Sequence, residues 1–137
     1  MALLDDLATY LVAQGVGVAG STADWIVAKG WLPPKPDKVI GLFETGGRPN
    51  EGHADATIDR PTFQVRTRGS ALAYSTARAK LASARTSLEN IGNETMGAGT
   101  RYYAHVQADA EALSLGLDEA TRPHLAMNFT ALRSRTT

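Results

Sequence analysis

The sequence predicts an α+β fold, a two-layer sandwich in which two helices pack on one face of a mixed, mostly antiparallel sheet of about five to six strands. Three observations lead there. Two segments, near residues 2–14 and 70–91, place apolar residues at steps of three and four, the repeat of a helix with one buried stripe. Several others alternate apolar with polar residues, the repeat of a strand with one face turned inward. At 137 residues the chain fits a single domain spanning positions 1–137 with one real core.

In chain order, Leu3, Leu4, Leu7, Tyr10 and Leu11 define the first helix, with Gly15 as its stop. Trp25-Ile26-Val27-Ala28 is a short β-prone run, and Pro33-Pro34-Lys35-Pro36 cannot continue a ladder or a helix. Val39-Ile40-Gly41-Leu42-Phe43 is apolar almost throughout, as suits a central strand covered on both faces. Thr45 to Asp59 holds Gly46, Gly47, Pro49, Asn50 and Gly52 with almost no large apolar group, and is expected to be a mobile loop. Phe63, Val65 and Thr67 then alternate with Gln64, Arg66 and Arg68. Gly69-Ser70 opens the second helix, along which Tyr74, Ala77, Leu81, Ala84, Leu88 and Ile91 recur before Gly92 closes it. Strand patterns follow at Tyr102–Ala108 and Leu113–Leu117, a turn at Asp118–Thr121, and a closing strand at Leu125–Ala131 with a basic, polar tail. The order read from the sequence is helix, three strands, helix, three strands.

Composition narrows the function classes. Lys and Arg number 14 against 14 Asp and Glu, so the global positive field that drives binding to a phosphate backbone is missing, and long-range repulsion between copies is weak. Without cysteine there is no disulfide, thiolate metal site or thiol nucleophile. Acids at Asp5 and Asp6 stand where a secretory leader needs a basic region, and no apolar run approaches a membrane span, so synthesis in the cytoplasm with no membrane partner is expected.

No constellation points to catalysis. Gly15-Val16-Gly17-Val18-Ala19-Gly20 matches a dinucleotide fingerprint as a string, with Asp37 at a ribose-contact distance, but it follows a helix and leads to a strand, the reverse of the arrangement that lets a helix N-terminus face a pyrophosphate. It is read as a linker. His53, His105 and His124 have no metal-ligand spacing and are read as surface side chains. Acids such as Asp118 and Glu119 are scattered and read as solvated turns, and Gly-x-Ser-x-Gly is absent. No catalytic, cofactor-binding or metal residue is therefore assigned. Arg66 with Arg68, and Arg78 with Arg85, make short basic stripes; arginine pairs bidentately with carboxylates, so contact with a neighbour's Asp or Glu is the favoured role.

Four segments together resemble the small tail-terminator, or minor capsid (tail completion), proteins of siphophages. They are Pro36-Asp37-Lys38-Val39-Ile40-Gly41-Leu42-Phe43-Glu44-Thr45-Gly46-Gly47, Arg60-Pro61-Thr62-Phe63-Gln64-Val65-Arg66, Tyr74 with Ala77-Arg78-Ala79-Lys80, and Asp118-Glu119 leading through Arg122-Pro123 to Met127-Asn128-Phe129. Each is degenerate alone; order and spacing give the specificity. The pattern departs at Leu117, where that family often carries a basic residue, and the first 35 residues match weakly. The resemblance implies a non-enzymatic virion subunit that assembles with copies of itself as a ring, usually a hexamer, stops tail-tube polymerisation, and docks to the head connector while DNA passes through without specific binding. It implies a place at the head-tail junction of the virion, reached by assembly in the host cytoplasm. On that basis Arg66, Arg68, Arg122 and Arg48 are the expected subunit-interface residues. The alternatives are a head-completion or neck-joining protein of the same virion, and a small metal- or acid/base-dependent hydrolase or nuclease using scattered acids and His105 or His124.

Overall fold

In the computed structural model, which describes residues 2–20, 22–48, 58–97, 99 and 101–135, helix α1 spans Ala2–Ala13. Leu3, Leu4, Leu7 and Leu11 are buried along one face of it. The chain leaves the helix through Gly15, whose φ of +77° a side chain would resist. There the Gly15 N–H donates to the Val12 carbonyl and the Val16 N–H to the Leu11 carbonyl, while Val16 and Leu11 bury side by side. This is a Schellman ending with its apolar contact.

The strands are β1 (Ile26–Lys29), β2 (Val39–Arg48), β3 (Ile58–Arg68), β4 (Gly92–Met96), β5 (Arg101–Ala108), β6 (Leu113–Leu117) and β7 (Pro123–Arg135), with helix α2 (Tyr74–Glu89) between β3 and β4. They form one sheet in the order β1-β2-β3-β7-β5-β4, and β6 pairs with the other half of the β7 edge that β5 uses. β1 runs parallel to β2, and the remaining pairs are antiparallel. The α+β class, the mixed and mostly antiparallel sheet and the two helices are as the sequence predicts.

Both helices drive apolar stripes into the same core. Ala77, Leu81, Ala84 and Leu88 of α2 and the α1 leucines meet Ile40, Leu42, Phe63, Val65 and Phe129. At its centre Phe63 and Phe129, cross-strand partners, stack with centroids 5.2 Å apart at 7°. The other sheet face carries a smaller cluster of Ile26, Ala28 and Val39 with Leu32. Leu32 lies against Gly41, where an added Cβ would sit 2.5 Å from Leu32 Cδ2, so the apolar character of β2 on both sides has a packing reason.

Several boundaries differ from the sequence reading. The strands reach into the expected loop: β2 continues through Arg48 and β3 begins at Ile58. Gly46 and Gly47 are not loop formers but a bulge, with φ of +103° and +111° and a register shift after Glu44, and an added Cβ on Gly47 would meet the Arg60 carbonyl at 2.3 Å. The rest of that segment, 49–57 with His53, lies outside the described residues. α2 starts at Tyr74 rather than near Ser70, because the chain first turns through Leu72 at φ +59°. β4 gives the sheet a seventh strand. The basic tail after Ala131 is strand, because β7 runs to Arg135 and buries Arg133.

Candidate assembly surfaces

Three of the four sequence-selected arginines have described side chains, and they fall into two kinds. Arg68 is 2% exposed. Its Nε donates to the Asp37 carbonyl at 2.8 Å and its Nη2 to the carbonyls of Pro33 and Pro36 at 2.6 and 2.7 Å. Prolines at 33, 34 and 36 strip this stretch of N–H donors, so it cannot join a ladder, and one planar guanidinium satisfies the oxygens instead. Burial pushes the Arg68 guanidinium below its ordinary value, with Arg122's charge acting the same way.

Arg122 completes that clamp. Its Nη1 donates to the Pro34 carbonyl at 2.8 Å and to Asp37 Oδ1 at 3.2 Å, and its Nε to Asp118 Oδ2 at 2.9 Å. Asp118 is the hub of the turn before β7: Oδ1 accepts the Ala120 and Arg122 backbone N–H groups at 2.9 and 3.0 Å, and Oδ2 lies 3.0 Å from His124 Nε2. The bond with His124, then the Arg122 N–H and guanidinium, hold the Asp118 carboxyl well below the usual aspartate range. Asp118 and His124 are therefore mutual partners rather than a solvated turn and a separate surface histidine.

Arg66 is different. Half-buried on the sheet face away from the helices, its guanidinium lies 4.8 Å from the Phe43 ring centroid and donates to Gln64 Oε1 at 2.6 Å. Gln64 donates in turn to Asn128 Oδ1 at 3.1 Å, and Thr45 to Thr62 Oγ1 at 2.8 Å. The face is a shallow polar field with a cation held flat on an aromatic ring. Arg48 sits opposite Arg60 at the far end of β2, and its side chain lies outside the described residues.

A second set of charges went unread in the sequence. Asp6, 4% exposed on α1, accepts from Arg101 Nε at 2.5 Å, Arg101 Nη2 at 2.8 Å and the Tyr103 hydroxyl at 2.7 Å. Burial, then the bond to Asp6, raise the Tyr103 hydroxyl above its ordinary value. Arg133 pairs bidentately with buried Asp59, Nε to Oδ1 at 3.1 Å and Nη2 to Oδ2 at 2.8 Å, and the pairing holds its charge more firmly. Asp6 beside apolar Leu3, Leu4 and Leu7 was the available signal, an acid on the inward stripe of a helix.

A hollow of about 610 Å³ between α1 and the β4–β5 end of the sheet takes Asp6 and Arg101 into its wall already paired with each other. Among the described residues no three His, Asp or Glu side chains gather to hold a metal ion, and no helix is long and apolar enough to cross a membrane. The fingerprint-like glycines form the α1–β1 linker: an added Cβ on Gly17 would meet Val27 Cγ2 at 2.3 Å, a close pass of backbone over strand.

Large apolar side chains are exposed instead. Leu113, Leu115 and Leu117 on β6 are 60%, 45% and 56% exposed, and Trp31, beyond β1, is 59% exposed.

With that geometry in view, the family profile described as "Bacteriophage tail terminator protein" matches residues 10–135. No curated protein matches the chain. Among solved structures, a chain of the "Virion of native gene transfer agent (GTA) particle" shares the fold with a TM-score of 0.69 and 17% identity, covering 97% of this chain and 95% of that one.

Proposed function

Because the chain belongs to the bacteriophage tail terminator family, and so is a virion structural protein, we propose that it closes the tail tube and joins it to the head. Copies associate head to tail as a hexameric ring at the head-tail junction after assembly in the host cytoplasm. One rim blocks further addition of tail tube protein, the other meets the head connector, and DNA passes through the opening. The observation that carries this reading is the family match across residues 10–135. The surface agrees with it: an open sheet face and exposed apolar edges suit association better than catalysis, and a neutral chain offers DNA no strong attraction. Within it Arg66, held flat and half-exposed, and Arg48 are the arginines for a neighbour's carboxylates, while Arg68 and Arg122 shape the proline-rich loop that the neighbour meets.

The test is assembly in vitro. Purified protein added to growing tails that lack a terminator is expected to cap them, sharpening their length distribution in electron micrographs and making them competent to join filled heads. If the protein binds filled heads and leaves tail growth unchanged, it is a head-completion protein instead.

A further inference from the structure

We propose that the leucine edge of β6 in one subunit seats in the apolar hollow along β1 of the next, making these the two halves of the contact between neighbouring copies. The inference rests on the ring reading above and names the surfaces that make the ring.

β6 pairs with β7 on one side, and among the described residues no strand takes its outer edge. All five of its residues are exposed. Its sequence, Leu113-Ser114-Leu115-Gly116-Leu117, carries no charge and no proline, the devices by which soluble proteins keep a sheet edge from pairing with another molecule. Such an edge, left bare, invites association.

The receiving surface is concave. Two hollows, about 280 and 490 Å³, adjoin along β1 and share Gly20, Val27 and Lys29, with Val18 on one side and Trp31 on the other. Val18 is 42% exposed, and the walls are mostly aliphatic, with the indole of Trp31 at one end and the Thr9 hydroxyl among the lining groups at the other. Lys29 is the one charged side chain lining either hollow among the described residues. Of the acids around β6, Glu111 pairs with Arg85 at 2.8 Å and Asp118 with Arg122 at 2.9 Å in the same subunit, which leaves the exposed Asp109 and Glu119 to give the flanks of β6 the opposite sign. A row of leucines with exposed acids near both ends thus matches a largely apolar trough whose Lys29 is held by Asp5 at 2.6 Å in a half-exposed surface pair, weak enough to exchange partners on association.

Position makes the partner a second copy. β1 lies at one end of the strand order and β6 beyond β7, four strand spacings or about 19 Å away across the sheet. A donor edge and an acceptor edge on opposite sides of one subunit cannot satisfy each other. They give a heterologous contact that repeats from copy to copy and closes as a ring.

The lack of cysteine makes disulfide trapping clean. Leu115→Cys and Trp31→Cys are introduced singly and together and mildly oxidised, with circular dichroism checking that each variant folds. The mixed single variants are expected to give a disulfide dimer and nothing larger, and the double variant a ladder up to ring size. Leu115→Glu is expected to move ring dissociation to roughly 10-fold higher protein concentration in light scattering. If the wild type is ring-sized, the mixed variants fail to cross-link and Leu115→Glu changes nothing, these surfaces are wrong and the ring stands. If Leu115→Cys alone dimerises, two β6 edges meet each other and the head-to-tail contact is refuted. If Leu115→Glu keeps its ring but no longer binds tail tubes, β6 faces the tube. A wild type that is monomeric at every concentration and on tail tips overturns the ring reading and this inference with it.

Discussion

Replacing Arg68 with alanine should damage the fold far more than the same change at Arg66, two residues away on the same face of β3. Arg68 makes three charge-assisted bonds to carbonyls of residues 33, 36 and 37. Each such bond contributes about 1.5–3 kcal/mol, but the loop can lift and rehydrate part of its oxygens, so the expected loss is about 4 kcal/mol rather than the full sum. For a domain of this size that is about 12 °C in melting temperature. Arg68→Lys, with one compact donor in place of a fork, should lose about half as much. Arg66 rests on Phe43 at the surface, and Arg66→Ala should cost under about 1 kcal/mol. Urea unfolding of the three variants measures this directly. An Arg68→Ala protein within about 1 kcal/mol of wild type would show that the arginine is not what holds the proline-rich loop.

Two further changes probe other parts of the fold. Gly47→Ala should cost about 3 kcal/mol, since its Cβ would meet the Arg60 carbonyl at 2.3 Å at a φ of +111°, whereas Gly92→Ala, whose Cβ has no neighbour closer than 4.0 Å, should be nearly neutral by thermal melting. The carboxyl of Asp118 is depressed in the folded state relative to its ordinary value of 3.8, so its contribution is complete above that value and disappears as pH falls towards the folded one. The stability gap between wild type and Asp118→Asn in urea should therefore hold steady from about pH 5 upward and narrow below about pH 4; a gap that widens on acidification would reverse the assignment.

The sequence made the helices and most strands legible because their cores are periodic. The leucines of α1 and Ala77, Leu81, Ala84 and Leu88 of α2 lie where the three-and-four spacing puts them, and Phe63 and Val65 face inward as alternation requires. β4 was invisible: Gly92-Asn93-Glu94-Thr95-Met96 is a largely exposed strand whose existence depends on pairing with β5, which no local pattern records. The glycines of β2 misled for a related reason, since the same residue that loosens a loop also lets two backbones close to contact distance at a bulge. The arginines show the limit most clearly. Arg66 and Arg68 are indistinguishable as a basic stripe, and only the arrival of the proline-rich loop over one of them makes it a buried clamp. Asp59 and Arg133 are 74 positions apart, and spacing could not have joined them.

The strand β7 has a consequence for how the molecule is made. Along its thirteen residues it is the shared neighbour of β3, β5 and β6, and it is the last of these to emerge from the ribosome. Until it docks, those three have no route to one another, and the hydrophobic faces of both helices lack the middle of their floor. Completion of the sheet therefore waits for β7, and its rate is limited by long-range closure. A nascent chain stopped before Pro123 has neither the hairpin that presents the β6 leucines nor the sheet that holds the β1 trough in place.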